Sequence, residues 1–299
     1  MEKHKNLVPI SLIIIVFAFG IAFVKNVSNV NNQSANTSQS SIINDTNKLL
    51  GKNSGTSPII SGDELFLVDG LEYTSPKLNY LNDIYSTNDG ITWNQVTPSA
   101  PWTPRTYSTS VYFKNKMWMM GGRGMASISI FFTDLWSSPD GINWTQESTL
   151  PHLEEKTDAI LATLNGQLYV IGREKSSGNG TVWSSPDGIN WTQIVTNAPW
   201  SGKLLPSVVT FQNQLWIIGG RTVFASYTNE VWSSPDGINW TPMPSPPWLG
   251  RFAHESFVFN NEIWMIGGQA CGGTITVCND MWSTPDGINW TSRGNGPWN

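Results

Sequence analysis

Between residues 53 and 299 the chain repeats one hydrophobic and polar pattern. A short apolar segment comes first, such as Ser110-Val111-Tyr112-Phe113 or Ser256-Phe257-Val258-Phe259. A polar turn follows: Lys114-Asn115-Lys116, Asn165-Gly166, Gln212-Asn213-Gln214 or Asn260-Asn261-Glu262. A second apolar run then stops at glycine, as in Met117-Trp118-Met119-Met120-Gly121-Gly122, Leu215-Trp216-Ile217-Ile218-Gly219-Gly220 and Ile263-Trp264-Met265-Ile266-Gly267-Gly268. Both runs read as strands. A longer, variable loop leads to Trp136-Ser137-Ser138-Pro139-Asp140-Gly141-Ile142-Asn143-Trp144-Thr145. That stretch returns almost letter for letter at 183–192, 232–241 and 282–291, with a weaker copy at Tyr85-Ser86-Thr87-Asn88-Asp89-Gly90-Ile91-Thr92-Trp93. Proline and glycine in its middle exclude a helix. Proline pre-sets φ and glycine takes the φ > 0 position, which predicts two short strands joined by a type I turn with a G1 bulge.

The Asp-Gly pairs begin at Asp89, Asp140, Asp187, Asp236 and Asp286, so the steps are 51, 47, 49 and 50 residues. A fixed period near fifty marks a repeat architecture. The units run about 53–104, 105–153, 154–200, 201–248 and 249–299. Four locally joined strands make a small antiparallel sheet, and such a sheet buries both faces only by stacking on copies of itself. The Gly-Gly strand end, the loop, and then an aromatic and a tryptophan eight residues apart resemble the Kelch repeat over residues 53–299. The resemblance implies an all-β, Kelch-type β-propeller of five four-stranded blades. The alternative is an incomplete six- or seven-bladed ring, because Pro297-Trp298-Asn299 stands where a sixth unit would begin. The Ser-Pro-Asp-Gly-Ile-Asn-Trp turn is also similar, more weakly, to the Asp-box of sialidase-type propellers. Unit 1 is the outlier: its second strand ends Asp69-Gly70 and its turn lacks proline.

The N-terminus changes the picture. Residues 7–24 are apolar and uncharged after the basic start Lys3-His4-Lys5, so residues 1–25 predict an apolar helix. It is either an uncleaved anchor, for which about 17–25 apolar residues suffice, or a signal peptide. Both place the repeats outside the cytoplasm, in the cell membrane or secreted. Residues 26–52 are rich in Asn, Ser and Thr and read as a disordered linker. Charged residues are only 13% and the net charge is −5, without a basic run, which argues against nucleic acid as a partner. Cys271 and Cys278, with six residues between them, predict a disulfide in an oxidising compartment. Two thiols without a neighbouring histidine make an incomplete metal set, and nothing in the sequence implies a cofactor.

Candidate chemistry gathers where the longer loops lie. Strand direction alternates, so turns 1–2 and 3–4 fall on one face and the longer 2–3 and 4–1 loops on the other. At the start of strand 1 the units carry Asn53, Arg105, Lys156, Lys203 and Arg251. Four basic groups around a channel mouth would attract a carboxylate or sulfate. The start of strand 3 on the same face carries Asp83, Asp134, Glu230 and Asp280, with Gly180 in unit 3, so structural pairing competes with ligand binding. Arg123 and Arg221 follow Gly-Gly in units 2 and 4, whereas Glu174 and Gln269 hold that place in units 3 and 5. Pro-Trp recurs at 101–102, 199–200, 247–248 and 297–298, either wedged between blades or exposed for stacking on sugars.

No nucleophile motif or phosphate loop is present. Galactose-oxidase-like copper chemistry needs more than His152 and His254, and a sialidase-like arginine cluster has no spacing to support it. The expectation is a binding module for a glycan or protein, with a carbohydrate-active propeller enzyme as the alternative.

Overall fold

The computed structural model describes residues 12–17, 20–25 and 57–296, except 75–76, 90–91, 125–129, 148–155, 175–176, 201–202, 205, 223–225 and 272–276. Five four-stranded antiparallel sheets follow one another along the chain. Blade 1 holds Ser57–Ser61, Glu64–Thr74, Lys77–Thr87 and Asn94–Thr97, and blade 2 holds Thr109–Phe113, Lys116–Met120, Leu135–Ser138 and Thr145–Gln146. Blade 3 comprises Lys156–Leu164, Gln167–Glu174, Gly180–Ser185 and Thr192–Ala198. Blade 4 comprises Ser207–Phe211, Gln214–Ile218, Val231–Ser234 and Thr241–Pro242, and blade 5 comprises Glu255–Phe259, Glu262–Ile266, Asp280–Thr284 and Thr291–Asn295. In each sheet the strands lie in sequence order.

The second strand of each blade carries an unbroken apolar run, such as residues 117–120 or 215–218, because both of its faces are covered. Side chains alternate along a strand. Met117 and Met119 therefore pack toward blade 1, with Phe66, Val68 and Trp102, while Trp118 and Met120 pack toward blade 3, with Leu168, Val170 and Trp183. Leu215 and Ile217 face blade 3, and Trp216 and Ile218 face blade 5. The ring closes where Leu65 and Leu67 of blade 1 meet Ile266 of blade 5, flanked by the partly buried Trp93, Phe257 and Met281. Five sheets stacked radially with apolar seams between all neighbours form a five-bladed β-propeller.

The turn between strands 1 and 2 is a two-residue hairpin with φ > 0 at both positions in blade 2 (48° and 61° at Lys114 and Asn115), and likewise in blades 3, 4 and 5. Those are type I′ values, whose twist matches the strands. The 3–4 turn is longer than a simple hairpin. Residues 139–144 separate the strands and are organised by the aspartate side chain. Asp140 Oδ1 accepts hydrogen bonds from the backbone N–H of Ile142 and Asn143, and Oδ2 accepts one from the Asn143 amide. Those bonds hold the Asp140 carboxyl down to about 2. The pattern repeats at Asp187, Asp236 and Asp286. The glycine behind each aspartate has φ near 75° and seats on the second-strand aromatic of the preceding blade. A Cβ on Gly141 would come 2.6 Å from the Phe66 ring, and on Gly188 it would come 2.1 Å from the Trp118 ring. The repeated Asp-Gly is thus an inter-blade lock as well as a turn.

The Pro-Trp tryptophans are wedges. Trp102, Trp200 and Trp248 are buried and meet Trp144, Trp240 and Trp290 of the next blade edge-on, with centroids 5.0, 5.6 and 5.7 Å apart. Trp298 lies outside the described residues. The N-terminal apolar segment departs from the expected helix: Leu12–Phe17 and Gly20–Lys25 pair as an antiparallel hairpin. Its run of Ile, Val and Phe is β-branched and aromatic, which suits strands. No helix among the described residues is long and apolar enough to cross a membrane. The linker 26–52 lies outside the described residues.

Candidate functional site

The basic residues at the start of strand 1 point into the protein. Arg105 is 1% exposed. Its Nη1 donates to Asp134 Oδ1 at 2.5 Å and to the Gly121 carbonyl at 2.8 Å, and Nη2 donates to Asp134 Oδ2 at 2.8 Å. Arg251 repeats the arrangement with Asp280 at 2.6 and 2.8 Å and with the Gly267 carbonyl at 3.0 Å. The two-pronged guanidinium fits a carboxylate and has a prong left for the carbonyl that ends the second strand. In blade 4, Lys203 makes a single bond to Glu230 at 2.8 Å. Each acid also accepts from the tryptophan two residues on: Trp136 to Asp134, Trp232 to Glu230 and Trp282 to Asp280. Burial pulls the Lys203 ammonium below its ordinary range although Glu230 opposes it. For Asp280, burial pushes upward, but donation from Arg251 and Trp282 outweighs it and leaves the carboxyl below its usual value.

Arg105, Lys203 and Arg251 therefore brace strand 1 against strand 3 within their own blades and are not offered to a ligand. The side chain of Lys156 lies outside the described residues, and its backbone pairs with Glu174. Blade 1 replaces this device. Asp69 stands where the other blades have glycine, with φ at 62°, and accepts from Trp102 Nε1 at 2.5 Å. Burial pushes its carboxyl up to about 7, although the nearby Ser108 hydroxyl and Arg105 draw it down.

The two arginines after Gly-Gly behave differently. Arg123 is exposed, and its guanidinium lies 4.4 Å from the ring centre of Tyr107, itself 40% exposed. Arg221 is half-buried, 5.1 Å from the ring centre of Phe252 in blade 5, and Phe252 stacks in turn on Tyr227 at 5.5 Å and 12°. The ring contact apart, neither guanidinium has a hydrogen-bond or ion-pair partner among the described residues, and Arg221 Nε is buried without one. An arginine stacked on an aromatic is held in place while its outer N–H groups stay free for an anion.

Register across the strands differs on the two sides of blade 3. Arg123 pairs with Thr106, Arg221 with Leu204 and Gln269 with Phe252, in each case the residue after the basic one. In blade 3 the residue after Lys156 is Thr157, and it pairs with Arg173. Glu174 pairs with Lys156 itself. Blade 3 lacks one glycine of the pair and absorbs the difference in a bulge between Thr157 and Ile160. Toward strand 1, Arg173 thus stands where Arg123 and Arg221 do, but toward strand 3 it pairs with Gly180 as the second glycine does elsewhere, and Glu174 keeps the place that counting gave it.

Other chemistry at this end of the axis is scattered. His254 is 4% exposed at the seam between blades 4 and 5, where burial and Arg251 pull its imidazole down to about 3, so it is neutral. Glu255 heads the innermost strand of blade 5. It is open to solvent, and the protein packed around it pushes its carboxyl up to about 7. Asp69 and His254 have no common hydrogen-bonding or charged partner and sit at different seams. Cys271 and Cys278 form a disulfide across the 2–3 loop of blade 5, with 5.9 Å between their Cα atoms. Val277, in the same loop, is 57% exposed.

Comparison with known proteins bears on the fold. A family model described as the DUF6242 beta propeller domain matches residues 138–252, from the end of the third strand of blade 2 to the threshold of blade 5. No curated protein matches the chain. Among solved structures, one titled "Structure of YjhT" is similar, with a TM-score of 0.62 and 15% sequence identity over 81% of this chain and 84% of that one. The apolar seams, the radial sheets and these likenesses together identify a β-propeller domain.

Proposed function

We propose that this chain is a binding module: a Kelch-like β-propeller, held at the outer side of a membrane by its N-terminal apolar segment or released from it, that takes a glycan or protein ligand through its 2–3 and 4–1 loops. The observation that carries the reading is the contrast between two sets of arginines. Arg105 and Arg251 are consumed by the scaffold, while Arg123 and Arg221 sit on aromatic rings at the long-loop face with their hydrogen-bonding capacity unspent. Variable loops on a rigid scaffold are where binding residues concentrate. The disulfide supports an oxidising compartment.

The test is a glycan and protein array probed with the full chain and with an Arg123→Ala/Arg221→Ala double variant. The reading expects hits that weaken at least about tenfold in the variant, each lost charged contact being worth roughly 1.5–3 kcal/mol. Hits indifferent to every substitution on the long-loop face would sink it. A second reading, a carbohydrate-active enzyme, is favoured by Glu255 alone, since a solvent-open carboxyl near neutrality suits general acid–base work. Turnover of a glycan that is lost in Glu255→Gln would establish it.

A further inference from the structure

At the seams between blades 1 and 2, 3 and 4, and 4 and 5, the 4–1 loop sets a tryptophan against the tryptophan that follows the 3–4 turn of the next blade. An asparagine just before the acid of strand 3 holds that loop. Asn82 Nδ2 donates to the carbonyls of Ala100 and Trp102 at 2.8 and 2.9 Å. Asn229 Nδ2 donates to those of Pro246 and Trp248 at 3.1 and 3.2 Å. In blade 1 the loop answers with its own backbone, the Ala100 N–H donating to the Asn82 carbonyl at 2.8 Å. Pro246 has no N–H to give.

Blade 5 carries the same parts. Asn279 precedes Asp280 as Asn82 precedes Asp83 and Asn229 precedes Glu230. Trp298 follows the turn aspartate Asp286 by twelve residues, as Trp248 follows Asp236. Two residues before Trp298 the chain already follows the same path: the Gly296 N–H donates to the Asn279 carbonyl at 2.6 Å, the bond that Ala100 makes to Asn82. The next blade round the ring is blade 1, whose corresponding tryptophan is Trp93. It lies partly buried at the closing seam beside Leu65, Leu67 and Ile266.

We propose that Pro297-Trp298 is the latch of the propeller: the Trp298 indole wedges into the seam between blades 5 and 1 against Trp93, and the Asn279 amide donates to the carbonyls of Gly296 and Trp298. The latch is independent of what the long-loop face binds. At the other seams the loop that carries the wedge runs on into the neighbouring blade, so the chain itself ties the two together. Blades 5 and 1 are the first and last sheets of the repeat, and no loop joins them. Their seam depends on contacts alone, and a tryptophan brings a larger apolar area to it than any other side chain.

The experiment measures chemical denaturation and hydrogen exchange on the full chain and on Trp298→Ala, Trp298→Phe and Asn279→Ala, with Trp200→Ala as the control for another seam. Trp298→Ala is expected to raise the unfolding equilibrium constant about 100-fold or more. Exchange should quicken first in peptides covering 64–68 and 262–266, whereas Trp200→Ala quickens it between blades 3 and 4. Trp298→Phe, which keeps a ring in the seat, gives the same local pattern at smaller amplitude and serves if the alanine variant does not fold. Asn279→Ala is expected to raise the constant about 5- to 20-fold. Combined with Trp298→Ala, it should cost less than the product of the two, because one latch is lost and not two. A Trp298→Ala chain within about twofold of the parent, or one whose exchange rises at every seam alike, overturns the latch. Stability that falls on dilution of the parent chain also overturns it, because the wedge then comes from a second copy.

Discussion

Arg105 and Arg123 lie in the same blade and differ in what surrounds them. The first is buried and bonded to Asp134 and the Gly121 carbonyl, and the second rests on Tyr107 in solvent. Removing one partner of a buried ion pair leaves the other uncompensated and costs about 3–5 kcal/mol. Arg105→Ala and Arg251→Ala are therefore expected to destabilise the fold by that amount, while Arg123→Ala stays within about 0.5 kcal/mol. Chemical denaturation of the three variants measures this directly. Asp69 makes a prediction about pH. Its folded value of about 7 lies above its ordinary 3.8, so between those values the folded state holds the extra proton. Stability from this group is complete below about pH 4 and is lost as pH rises through 7, by up to about 4 kcal/mol at 1.36 kcal/mol per unit. Asp69→Asn, which tolerates the left-handed backbone and can still accept from Trp102, should flatten the fall in melting temperature between pH 5 and 8. An unchanged profile would assign the titration elsewhere.

At the scale of the element, the 3–4 turn shows why one motif was kept in blade after blade. Its aspartate satisfies the backbone of its own loop, and its glycine admits the aromatic of the neighbouring blade. Gly188→Ala meets the Trp118 ring at φ 78°, so backbone strain and overpacking add. The expected cost is about 2–4 kcal/mol. Gly166→Ala has a similar φ of 71° with nothing within 4 Å, and is expected to cost only about 1 kcal/mol, the strain alone. Equal costs would show that the seat on tryptophan contributes nothing. Strand 1 of blade 3 shows a limit of sequence counting. Aligning blade 3 by its glycine put Glu174 beside Arg123 and Arg221, and pairing with strand 3 keeps it there, but the bulge between Thr157 and Ile160 brings Arg173 opposite the residue after the basic one. A one-residue slip changes what faces what, and only the pairing across strands reveals it.

Over the whole molecule, stability depends on every seam because each blade lends a face to two neighbours. Among the described residues, the closing seam has the fewest buried apolar residues, Leu65, Leu67 and Ile266. Leu67→Ala is expected to cost about 2–4 kcal/mol and to open the ring there first. Limited proteolysis that cuts between blade 5 and blade 1 before any other seam would be its signature, and uniform cutting would count against it. Much of this architecture was legible beforehand. The period near fifty, the strand pattern and the short-turn and long-loop faces all follow from local chemistry: turn residues fix turns, and alternation fixes which faces are buried. The candidate site was legible only as a list of charges, since Arg105, Arg123, Arg221 and Arg251 look alike in one dimension.

The sequence by itself determined the repeat, the four-stranded unit, the Asp-Gly turns and the cysteine pair, because each rests on residues close together in the chain. Tertiary structure decided the rest. It showed that five seams close a ring, that the Pro-Trp tryptophans are wedges, and that the arginines divide into scaffold and surface. The physical reason is burial. Whether a guanidinium is bonded to an aspartate or left to a ligand depends on a partner 29 residues away, as with Arg105 and Asp134.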